Sequence, residues 1–146
     1  MIWERALILA AVLLVAWLGY VWWHRRQGVV RAVAAGTATL SSQRLGVKRG
    51  FAATFVQFST QMCAKCPPTA RMLRKVADEH RGVKHVEVDA EVRLDLAREF
   101  GVMRTPTVLV LDDTGTVVAR MAGAPTEHQV REALAAAMPT ATDYSI

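Results

Sequence analysis

Apolar and polar positions divide the chain into one long apolar run and then a series of short, alternating segments. From Ala6 to Trp23, 18 consecutive residues carry no charge. A helix of that length covers roughly 27 Å at ~1.5 Å per residue, close to the ~30 Å hydrocarbon core of a bilayer. Trp3 precedes the run, and Tyr20, Trp22 and Trp23 close it, which suits aromatic rings settling at the two headgroup levels. The run is read as one transmembrane helix over residues 6–23. A cleaved signal peptide is the competing reading, because Ala32-Val33-Ala34 mimics a cleavage site. A signal's apolar region is shorter, however, at ~7–15 residues, and here His24-Arg25-Arg26 follow at once. A helix buried in a soluble protein would show a polar face, and this run has none.

The rest of the pattern predicts a mixed α/β domain. Phe51 to Phe58 (FAATFVQF) is apolar, aromatic and β-branched, as a buried strand would be. Thr69 to His80 sets Ala70, Leu73, Val76 and Ala77 at helical spacing, with Arg71, Arg74, Lys75 and Asp78 on the other face, and Gly82 ends it. Val83 to Asp89 alternates with slips and reads as a strand. Val92 to Phe100 reads as a helix closed by Gly101. Thr107 to Leu111 is strongly β, the run from Asp112 to Gly115 is a turn, and Thr116 to Met121 is the antiparallel partner. Thr126 to Met138 is a last amphipathic helix, with Thr126 and Gln129 spaced for a capping box. The order strand-helix-strand-helix-strand-strand-helix requires parallel crossovers first and a hairpin later, with helices on both faces of the sheet. The expected architecture is a three-layer α/β/α sandwich over residues 51–138. Residues 24–50 form a basic juxtamembrane linker with room for a short first strand or helix, and 139–146 form a tail.

Composition and charge narrow the function. With 52% hydrophobic and 21% charged residues the chain is not of the disordered class. The net charge of +5 is uneven: residues 1–35 carry +3, through Arg5, Arg25, Arg26 and Arg31 against Glu4, and the remaining 111 carry +2. So balanced a domain is no nucleic-acid binder, which needs a concentrated basic face. Three arginines follow the apolar run and one precedes it, so the positive-inside bias sets the C-terminal domain on the cytoplasmic side, with the extracytoplasmic side as the alternative. Arg25, Arg26 and Arg31 either rest on anionic lipid at ~1 kcal/mol each or act only as a topology signal.

The candidate chemistry is Cys63-Ala64-Lys65-Cys66, after a strand and at a helix start. Two thiols two residues apart can close a bridge within one turn. Unpaired N–H groups and the helix dipole favour negative charge there, so a Cys63 thiolate is stabilised, and Lys65 adds a positive charge.

At these residues the domain resembles the thioredoxin family. The strand FVQF, CAKC at a helix start, HVEVD, EFGV, MRTPTVLVL and Gly123 after the final strand carry the likeness. CxxC alone is a weak signal, whereas CxxC with a later TPT before a β run is specific. With the apolar helix, the whole chain is similar to bacterial membrane-tethered thioredoxin-like proteins. The resemblance implies a protein thiol–disulfide oxidoreductase without bound cofactor. Its partners would be protein disulfide or dithiol clients and an electron donor or acceptor. Cys63 would be the exposed nucleophile and Cys66 the buried resolving thiol. Pro106 would be a cis-proline facing them, and Thr105 would offer its backbone to an extended client. Three positions depart from the family. Met62 stands where thioredoxins have a Trp, which changes the client-binding surface. Gln57 replaces a buried Asp, removing a proton acceptor for the resolving thiol. His85 replaces a nearby Lys. In addition, Pro67-Pro68 remove two helix donors after Cys66, so a distorted first turn is expected.

Two other classes stay in view. Cys63, Cys66, His80 and His85 nearly match zinc-finger spacing. A finger, however, needs its cysteines on a hairpin and both histidines on one helix, so no metal site is expected. Copper handling through Cys63 and Cys66 is the other metal reading, but Met62, Met72, Met103 and Met121 are more often gap fillers than copper ligands. The third class is a non-catalytic adaptor on the same fold.

Overall fold

The computed structural model describes residues 2–25, 30–32 and 38–138. The expected tail, Arg26, most of Ala32-Val33-Ala34, and the side chains of Arg25 and Arg31 lie outside the described residues.

Helix α1 spans Ile2–Arg25. Its segment Trp3–Trp23 is 21 residues long, has a mean hydropathy of 2.2, and is nowhere buried by the rest of the chain. That is long and apolar enough to cross a bilayer.

The domain is a mixed sheet between two layers of helix. Its elements are β1 (Val30–Ala32), α2 (Ser42–Leu45), β2 (Ala53–Ser59), α3 (Cys66–Asp78), β3 (Val83–Asp89), α4 (Leu94–Glu99), β4 (Thr107–Leu111), β5 (Val117–Ala122) and α5 (Glu127–Ala137). Among the described residues the sheet order is β1-β5-β4-β2-β3. Only β2 and β3 are parallel; the other neighbours are antiparallel. β2 lies between β4 and β3, and every one of its residues is buried. That explains why its sequence is apolar on both faces rather than alternating.

Alternate residues of the strands serve two cores. Ala53, Phe55, Val108 and Val110 pack with Leu73 and Val76 of α3 and Val130 and Leu134 of α5. Val56, Phe58, Leu109 and Leu111 pack with Leu40, Leu45, Leu96 and Phe100 on the opposite face. Each large side chain so buried contributes about 1.5–3 kcal/mol. The slips expected along β3 have a simple cause. Val83 joins the first core while Val86 and Val88 join the second, so the strand's apolar residues switch faces.

Residues 38–50, read from the sequence as part of a linker, are packed on this sandwich. Leu40 is fully buried and its N–H bonds Gly115 O at 2.8 Å. Arg44 of α2 pairs with Glu99 of α4. β1 adds to the outer edge through β5, in register Val30 with Met121. The first strand of the sheet is therefore β1, upstream of residue 37.

Local signals account for the ends of elements. Asp112 Oδ1 accepts from the Thr114 and Thr116 N–H groups, both at 2.9 Å, and Gly115 supplies a φ of 90° to close the hairpin. Thr126 and Gln129 form the expected capping box on α5.

The start of α3 corrects one expectation. The helix begins at Cys66, at the end of the CAKC segment, and Pro67 and Pro68 continue it without a break. First-turn N–H groups have no partner within a helix, so two prolines there forfeit no bond. The first backbone bond, Thr69 N–H to Lys65 O at 3.2 Å, falls just after them.

Candidate functional site

β2 delivers the chain to the end of the sheet at Ser59, and the loop from Thr60 to Lys65 turns it into α3. Cys63 N–H bonds Thr60 O at 3.2 Å, and Cys66 N–H bonds Cys63 O at 3.1 Å. This tight turn brings the two Cα atoms to 5.4 Å, and Cys63 and Cys66 are joined in a disulfide. The two sulfurs differ in access: Cys63 is half-buried, while Cys66 is 2% exposed.

The loop before β4 arrives beside them. Thr107 pairs with Phe58 in the β2–β4 register, so Thr105 and Pro106 leave the sheet at the same end as Ser59 and Thr60. The Thr60 and Thr105 hydroxyls are 3.3 Å apart. The Thr105–Pro106 peptide is cis. The Pro106 carbonyl accepts the Gly123 N–H at 2.8 Å, and Gly123 has φ 98°. A side chain at Gly123 would be strained in that conformation.

Beneath the disulfide lies a polar link. Gln57 is fully buried and donates through Nε2 to Cys66 O at 3.0 Å. Its Oε1 lies 3.1 Å from His85 Nε2 on β3. Burial lowers the His85 pKa from the ordinary 6.5; nearby Glu87 opposes this and Arg74 adds to it.

Two recesses flank the site. One, of ≈ 400 Å³, is lined by Ser59, Thr60, Cys63, Cys66, Glu87 and Asp89 among others. Its carboxylates are held in place: Glu87 accepts from Ser59 Oγ at 2.7 Å, and Asp89 from the Glu91 N–H at 2.8 Å. The other, of ≈ 490 Å³, runs from Thr60 and Thr105 past Val102 and Met103 to Leu94 and Ala97. Met62 and Met103 stand 92% and 91% exposed. Thioether side chains held this far into water are poor candidates for core filling.

A family model for the thioredoxin domain matches residues 55–135. The chain belongs to the thioredoxin family. It is 31% identical over 78 residues to the thioredoxin of Methanocaldococcus jannaschii, an overlap of 53% of this chain and 86% of that one. Among solved structures it is similar to Fasciola hepatica thioredoxin, at 26% identity and TM-score 0.52 over 60% of this chain and 83% of that one. It shares its fold with a thioredoxin from Nicotiana alata, at 24% identity and TM-score 0.53 over 60% and 75% of the two chains. This fold, with a cysteine pair closed at a helix start, supports a redox-active disulfide.

Of the residues singled out from the sequence, Cys63, Cys66, Lys65 and Met62 share one turn; Thr105 and Pro106 reach the same sheet end; and Gln57 and His85 are linked below. The metal alternative finds no assembled ligand set. His80 turns back on its own helix, Nδ1 lying 2.8 Å from Val76 O, and His85 is engaged by Gln57. No group of three or more His, Cys, Asp or Glu converges among the described residues. Sequence reading missed Thr60 and Glu87 as neighbours of the site. Thr60 meets Thr105 across 45 residues of chain, and no local pattern signals such a contact.

Proposed function

We propose that this chain is a membrane-anchored thiol–disulfide oxidoreductase that exchanges disulfides with protein clients through Cys63 and Cys66. The observation that carries the reading is the unequal access of the two bonded sulfurs. Exchange requires an in-line thiolate at one sulfur, and access favours Cys63. In the direction of client reduction, the Cys63 thiolate attacks a client disulfide and a mixed disulfide forms. Cys66 then attacks Cys63, the reduced client leaves, and the Cys63–Cys66 bond is restored. The reverse sequence oxidises a client dithiol, and relative reduction potentials set the direction.

The surroundings support this assignment. A thiolate at Cys63 lies at the mouth of α3, where the dipole favours it. Thr105 offers backbone groups to an extended client, and the exposed Met62 and Met103 offer adaptable apolar contact. The layout, an apolar helix followed by a thioredoxin domain, is that of bacterial membrane-tethered thioredoxin-like proteins. α1 is the single-pass anchor, and the arginine excess after it favours a domain on the cytoplasmic face, where a reducing compartment drives client reduction.

The experiment is reduction of a disulfide-bonded protein substrate such as insulin by the full chain, with dithiothreitol as electron source. The wild type accelerates reduction and Cys63→Ser does not; unchanged activity in Cys63→Ser would refute the assignment. A reporter fused after Ile146 reads the face of the membrane independently.

A further inference from the structure

Resting on the exchange reading above, we infer that His85 takes up a proton at Nδ1 when the Cys63–Cys66 bond is reduced, with Gln57 carrying the coupling between them. The donors and acceptors dictate the arrangement. The Cys66 carbonyl can only accept, so Gln57 meets it with the amide nitrogen, at 3.0 Å. The Gln57 oxygen then faces His85 Nε2, at 3.1 Å. An amide oxygen also only accepts, so Nε2 carries hydrogen whether the ring is neutral or charged. Nδ1 is the atom left to titrate, and it has no hydrogen-bond partner among the described residues.

The surroundings keep this link responsive. Gln57 is wholly buried, so water does not screen it. The charged groups acting on His85 are Glu87 on its own strand and Arg74 from α3. β2, the other element against it, turns Phe55, Gln57 and Ser59 to that side and no charge. Burial disfavours the charged ring while the sulfurs are joined and neutral.

The proton count closes. A client dithiol reduces the bond, and its two sulfurs supply two electrons and join in a disulfide. Of the two protons released, one ends on Cys66 Sγ. Cys63 is left as a thiolate, and the second proton divides between solvent and His85 Nδ1, whose share rises with its affinity. The cationic form of the ring gains population as the sulfur becomes anionic. The Nε2–H bond to Gln57 becomes charge-assisted, and the amide's bond to Cys66 O strengthens with it.

The test is NMR titration of the histidine rings in the full chain, held in detergent micelles, in disulfide and dithiol forms. The expected result is a roughly threefold to tenfold higher proton affinity of His85 in the reduced form, the order of a partly screened interaction between single charges. In Gln57→Leu, or in Gln57→Met should the first not fold, the His85 difference shrinks. Identical His85 titration in both forms of the wild type would overturn the inference, and so would a difference that survives intact in the Gln57 variants. Failure of dithiothreitol to free two thiols would instead contradict the exchange reading.

Discussion

The hydroxyls of Thr60 and Thr105 lie 3.3 Å apart. They join the loop that opens the cysteine turn to the loop that opens β4, across 45 residues of chain. A neutral hydrogen bond of this kind contributes about 0.5–1.5 kcal/mol. Thr60→Val and Thr105→Val keep the shape of each side chain and remove one partner apiece. Denaturant unfolding of both single variants and the double should therefore be non-additive, with a coupling of about 0.5–1.5 kcal/mol. Strict additivity would mean that the two loops are held together by something else.

Gln57 has a larger effect because it is fully buried with both ends of its amide engaged. Gln57→Leu fills similar space but strands the Cys66 carbonyl on one side and the His85 N–H on the other. The expected loss is about 1–3 kcal/mol, the cost of buried polar groups left unpaired. Urea midpoints read it. A variant as stable as wild type would show that water reaches both groups.

Acid should destabilise the domain through His85. Burial holds its folded pKa below the ordinary 6.5, with Glu87 opposing and Arg74 assisting. The unfolded chain therefore binds the proton more readily. This contribution is present in full above 6.5 and is lost as pH falls through the folded value. His85→Gln keeps a donor for Gln57 and cannot titrate. Urea midpoints measured well above and well below 6.5 should separate more in wild type than in His85→Gln; equal separations would exclude His85 as a source of the acid sensitivity.

What the sequence made legible follows from which forces act locally. β2 announced itself because burial on both faces leaves ATFVQF almost no polar position; Phe51, counted with it from the sequence, lies outside the strand and is exposed. α5 did so because Thr126 and Gln129 carry the cap in their spacing. At α3 a distorted first turn was expected from Pro67 and Pro68, which instead occupy the turn where they cost nothing. β1 was allowed for within residues 24–50 but not placed, because three residues, Val-Arg-Ala, have no pattern to read. At the site, CxxC and the Thr105–Pro106 pair were identifiable as motifs. Gln57 and His85 were noticed separately, through the family positions they fill. Their contact was not legible, since the register pairing β2 with β3 places His85 beside Phe55, and only coordinates reveal that its ring reaches along to Gln57.

The central claim is that Cys63 is the sulfur that meets the client and Cys66 the one that resolves it. Trapping tests it most directly. Each single cysteine-to-serine variant of the full chain is mixed with a disulfide-bonded peptide, and the products are resolved by mass spectrometry. Cys66→Ser should accumulate a mixed disulfide at Cys63, because no neighbouring thiol is left to release the peptide. Cys63→Ser should accumulate little, because the thiol that remains is buried. A mixed disulfide at Cys66 forming as fast in Cys63→Ser as the one at Cys63 forms in Cys66→Ser would contradict the account.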